Sequence, residues 1–163
     1  MIIMAFEVTT HSKILNPTIT VDTAAYTIGD SMGGKITLAN AVRKVGGTCT
    51  LTNLTIIDKG NVRPTFNIVI FSSDPTVATI TDQAPFVLGT DASKVIGVIP
   101  IYSIDYQSVA GMSIGTLQLG NIILDANETF NNTTSLYAAI VATAANDMVA
   151  AGDLSVKFGV IQD

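Results

Sequence analysis

Apolar and polar residues alternate along this chain far more often than apolar residues recur at helical spacing, and that pattern restricts it to pleated structure. In segment 153–163, Leu154, Val156, Phe158 and Val160 fall on one face, with Ser155, Lys157 and Gly159 on the other. Segment 34–40 opposes Ile36 and Leu38 to Lys35 and Thr37, directly after the turn signal Gly33-Gly34. Residues 66–71 are apolar on nearly both faces, interrupted by Asn67, which predicts a central strand that stops before the turn former Asp74-Pro75. The alanines of 136–151 admit a helix, but Leu136, Ala138, Ile140 and Ala142 alternate, so a strand is expected to about Thr143, followed by a loop through Asn146-Asp147 and Gly152-Asp153.

Two phase slips refine this reading. Cys49 and Leu51 are followed by Leu54 and Ile56, one residue out of step near Thr52-Asn53; Leu117 and Leu119 are followed by Ile122 and Leu124, with Gly120-Asn121 at the join. A β-bulge at each restores the inward face and curves the sheet. One helical turn is expected after Thr90, with Thr90 or Asp91 as its cap, Lys94 on its outer face and Gly97 at its end. About eight to ten short strands with Gly, Pro, Asn and Asp between them give an all-β fold: a single antiparallel β-sandwich or jelly-roll-like domain over residues 18–163, with at most one or two short helical turns. Residues 1–17 lack periodicity and read as an N-terminal arm.

Charged residues are 13% of the 163, against roughly a quarter in typical soluble domains. Such a chain either carries a Thr/Ser/Asn surface or hides surface by assembling. The net charge of -5 and scattered basic residues argue against nucleic-acid binding. The opening residues have no basic stretch and meet Glu7 early, unlike a signal peptide, and the apolar run 136–145 is about half a transmembrane helix, so no membrane partner is expected. Asn-x-Thr sequences at Asn53, Asn127, Asn131 and Asn132 read as chance in a Thr- and Asn-rich chain.

Chemistry-bearing residues are sparse. His11, the one imidazole, lies in the expected arm, and Cys49 is flanked by Thr48 and Thr50 as an inward strand residue, so neither makes a nucleophile–base pair. The aspartates fall at expected strand ends, where turn chemistry alone places them. A calcium ion between the loops of Asp74 and Asp82 is the nearest metal reading, without ligand spacing to support it. The expectation is therefore no enzyme, no cofactor and no metal. Tyr102 and Tyr106 form the one close aromatic pair and read as rim or interface residues, with a sugar platform as the alternative.

The strings YTIGD (26–30), GGKITLANA (33–41), FNIVIFSSDPT (66–76), KVIGVIPI (94–101), LYAAIVA (136–142) and SVKFGVIQD (155–163), in this order, resemble small virion proteins of tailed bacteriophages, encoded near the capsid genes. The resemblance covers residues 18–163 and carries no catalytic motif. It implies a non-enzymatic structural protein of the virion, assembled in the host cytoplasm, that decorates or stabilises the capsid or forms the base of a head fibre. The alternative is a receptor- or glycan-binding β-sandwich module on the particle. Implied partners are other virion proteins such as the major capsid protein, and further copies of itself, with a trimer ahead of a dimer by analogy with three-fold positions on icosahedral shells. Ile99, Ile101 and Val141, expected on second strand faces, join Tyr102 and Tyr106 as candidate interface residues.

Overall fold

A computed structural model describes residues 11–126 and 133–163. Nine strands run among these: β1 (His11–Leu15), β2 (Ile36–Leu38), β3 (Thr48–Asp58), β4 (Phe66–Phe71), β5 (Val95–Ile101), β6 (Tyr106–Val109), β7 (Met112–Asp125), β8 (Leu136–Ala142) and β9 (Leu154–Gln162). They form two antiparallel sheets, a five-stranded one in the order β1-β9-β3-β7-β6 and a four-stranded one in the order β2-β8-β4-β5. His11–Leu15, inside the segment read as an arm, is the edge strand beside β9.

The pairing is nested. β4 pairs with β5, β3 with β7, β2 with β8 and β1 with β9, and successive pairs alternate between the two sheets. Lateral pairing of β9 with β3 and of β8 with β4 closes each sheet. This is the connectivity of a jelly roll, an eight-stranded hairpin rolled into a sandwich, with β6 as a ninth strand. β6 joins β7 through Ala110 and Gly111, both at positive φ (50° and 84°), as a two-residue hairpin turn matched to sheet twist requires.

The inward faces follow the alternation. Cys49, Leu51, Leu54 and Ile56 of β3 meet Phe66, Ile68 and Ile70 of β4 and Leu154, Val156, Phe158 and Val160 of β9 in one core. The register between β3 and both its neighbours shifts between Leu51 and Asn53, which returns Leu54 to the inside. Across that shift Leu51 faces Ile122 and Asn53 faces Gln118, so β7 accommodates its slip around Gly120 and Asn121, the latter at φ 51°.

The four-stranded sheet is covered on its outer face along β4 and β8, while Thr37 of β2 and Val98 and Pro100 of β5 stay exposed. Val69, Phe71 and Ala139 point away from the main core into a second cluster closed by Ile80, Phe86 and Leu88 of the β4–β5 connection, with Val95, Tyr137 and Val141. The helical content of the described residues is two 3-10 turns, Gly89–Lys94 and Ser103–Asp105. The first lies where a turn was expected, with two differences. Asp91 is buried rather than capping, and it draws Lys94 inward to 2.8 Å, leaving that lysine 17% exposed instead of on an outer face. Gly97 lies within β5, because Val95 already has extended backbone.

Candidate functional site

The expected interface residues separate. Ile68 opposes Ile99 and Phe66 opposes Ile101, so these β5 residues share the inward face of β4; they are 3% and 0% exposed and belong to the main core. Val98 and Pro100 hold the outward positions. Tyr106 is also in the core, 3% exposed, with its hydroxyl donating to the Pro64 carbonyl at 2.9 Å. Burial raises its phenol pKa, as do the charges of Asp58 and Asp105. Val141 is half-buried in the second cluster, against this chain's own β4–β5 connection. Thus Ile99, Ile101 and Tyr106 are corrected from contact to core residues: β5 is apolar on both sides, and apolar residues on both faces leave its phase undetermined by alternation. Tyr102 alone is well exposed, beside Ile104 on the Ser103–Asp105 turn, which is fastened by the Tyr102 amide donating to Asp105 Oδ2 at 2.7 Å.

The carboxylates serve the fold. Asp74 pairs with Lys35 at 2.6 Å, whereas Asp82 Oδ1 accepts from the Tyr26 hydroxyl at 2.7 Å and the Gly33 amide at 2.6 Å, so the two carboxylates are engaged by different partners. Asp91 Oδ2 accepts the amides of Val77 and Ala78 at 2.6 and 2.7 Å and ties the covering loop to the 3-10 turn. Desolvation acts to raise the Asp91 pKa, but the Lys94 ammonium and the two amides outweigh it and hold the carboxyl below its usual value. Asp58, fully buried, accepts the Arg63 amide at 2.7 Å beside a polar cluster in which Arg63 reaches Ser108 and Ser113, and Ser113 donates to Asn61. Among the described residues no group of three His, Cys, Asp or Glu side chains could hold a metal. Cys49 is fully buried, and burial, then the charge of Asp163, pushes its thiol up to about 11. Asn53 lies half-buried over Gly159; Asn127, Asn131 and Asn132 fall outside the described residues.

Among the described residues, no segment covers the outer face of the five-stranded sheet. This face runs in rows fixed by the register: Ser12, Ile161, Thr50 and Ile123 across β1, β9, β3 and β7, then Ile14, Gly159, Asn53 and Gln118. Lys157, Thr55 and Thr116 form the next row, and Ser155, Ile57 and Ile114 the last. Ile14 and Ile123 are each 70% exposed. Because Gly159 has no side chain, a shallow groove of about 470 Å³ opens between Ile14, Asn53 and Ile161. The sequence signal for this face is Thr48, Thr50, Thr52 and Thr55, a polar side without charge where an ordinary wet face would carry Lys and Glu. Searches of protein-family models, of curated proteins and of solved structures find no match to this chain.

Proposed function

We propose that the chain is a non-enzymatic structural subunit of a bacteriophage particle, attached to the capsid as a decorating or stabilising protein or as the base of a head fibre, and self-associating there. The observation that carries this reading is a jelly roll in which the chain's own β4–β5 connection covers β4 and β8 of one sheet, while the other sheet presents a Thr/Ile face among the described residues. Jelly rolls recur in viral coat proteins, and that likeness of architecture supports the reading by analogy. The carboxylates support it too, since Asp74, Asp82 and Asp91 are occupied by bonds that hold loops. The test is addition of purified chain to particles assembled without it, followed by sedimentation and reconstruction. Density of the subunit's size at symmetry-related surface positions is expected; a chain left in the supernatant at micromolar concentration overturns the reading.

The alternative of a receptor- or glycan-binding module rests on Tyr102 alone, because Tyr106 is in the core and the pair forms no platform. Glycan-array binding tighter than about 1 mM would favour it over the structural role.

A further inference from the structure

We infer that the outer face of the five-stranded sheet is a two-fold interface with a second copy of this chain. The inference rests on the assembly reading above and replaces the core residues Ile99, Ile101 and Tyr106 with a surface that a partner can reach.

Three observations favour a copy of the same chain as the occupant. The first is composition: the face carries Ile14, Ile57, Ile114, Ile123 and Ile161 among threonines, and β-branched side chains on a pleated surface are what pack sheet against sheet at about 10 Å. The four-stranded sheet answers the same demand with the chain's own Ile80, Phe86 and Leu88; the five-stranded sheet has no such cover among the described residues.

The second is area. Five strands about 4.8 Å apart span roughly 20 Å, and the nine residues of β9 extend about 30 Å, a projected face of roughly 600 Å². The accessible area of a corrugated face exceeds its projection, so it approaches the ~800 Å² per partner of a standard stable interface.

The third is charge. Lys157 lies in the Thr55 row, whereas Asp125 lies opposite Thr48, about 20 Å along the strands. Because Lys157 is on β9 and Asp125 on β7, two strands apart, a two-fold axis in the interface that bisects the line between them at right angles, and so runs inclined to the strands near the middle of the face, sets Lys157 of each copy against Asp125 of the other. The contact is then isologous and closes at two copies, which favours a dimer over a trimer. Asp163, on the same border, lies beside Arg43 and Lys44 and accepts the Thr48 hydroxyl.

Sedimentation equilibrium of the full chain over a dilution series up to about 100 µM tests this, with circular dichroism to verify folding of each variant. The dimer is expected in the wild type. Ile14→Lys and Ile123→Lys, at positions 70% exposed, should each weaken it at least tenfold, whereas Ile104→Lys, 83% exposed on another part of the surface, should leave it unchanged. Lys157→Asp should weaken the dimer and Asp125→Lys in the same chain should restore it. A dimer that withstands both face variants, or that Ile104→Lys dissociates while they do not, overturns the interface. A monomer at every concentration also overturns it: destabilised Ile14→Lys and Ile123→Lys variants would then assign the face to another part of the same chain, and unaffected ones to a different protein. Binding to particles is measured separately, so a monomer that still attaches to a capsid refutes the interface and spares the structural role.

Discussion

A buried carboxylate is costly unless donors meet its lone pairs, and Asp91, 2% exposed, has two backbone amides and the Lys94 ammonium. Asp91→Ala strands all three donors and frees the loop at Val77 and Ala78. A loss of about 2–4 kcal/mol is expected in urea unfolding at pH 7. The pH dependence has a definite sign. Since the folded carboxyl titrates below its usual 3.8, its stabilisation is complete above about pH 4 and is lost as pH falls through the depressed folded value. Comparing the acid unfolding of wild type and Asp91→Ala checks this: their difference in stability should shrink below pH 4. At Cys49 the thiol, raised to about 11 by burial, stays protonated at pH 8 and is shielded by the core. A disulfide exchange reagent should modify it at least a hundredfold faster in 6 M guanidinium than in the native state.

At the scale of elements, the bulge of β3 depends on Gly159 of β9. A Cβ at that position would sit 1.9 Å from Asn53 Oδ1, so Gly159→Ala must displace the Asn53 side chain. An expected cost of about 1–3 kcal/mol should be largely absent when Asn53→Ala accompanies it, and the coupling energy of that double-mutant cycle is the measurement. Both bulges are legible in the sequence because one extra residue in a strand shifts a strict two-residue period by one step, and the strands containing Phe66, Leu136 and Leu154 are legible from alternation or apolar runs. The phase of β5 is not, since Val95, Ile96, Val98, Ile99 and Ile101 would satisfy either orientation and only pairing with β4 decides between them. Nor is the cover of the four-stranded sheet: Ile80, Phe86 and Leu88 follow no period, and loops that pack by tertiary contact leave none. The candidate interface is half legible. Its threonines mark an outward side, but Ile123 and Ile161 fall into one row, and Ile14 into the next, only once three registers are known.

For the whole molecule, nesting makes the outermost strand pair join residues 11 and 162, so most native pairing requires distant parts of the chain to meet. Domains dominated by such contacts fold in milliseconds to seconds rather than microseconds. With four tyrosines and no tryptophan, stopped-flow tyrosine fluorescence after dilution from urea should follow refolding on that slow scale; a microsecond phase that recovers the full amplitude would contradict it. The same nesting places His11 directly opposite Gln162 on adjacent strands. In a chain from which residues 1–10 are left out, a few glycines could therefore link Asp163 to His11 at little entropic cost, and the chain could be reopened at the Ala110-Gly111 turn. In that circular permutant β6 and β7 would become the terminal strands, and a peptide fused there would emerge far along the sequence from the native ends yet on an unchanged sandwich.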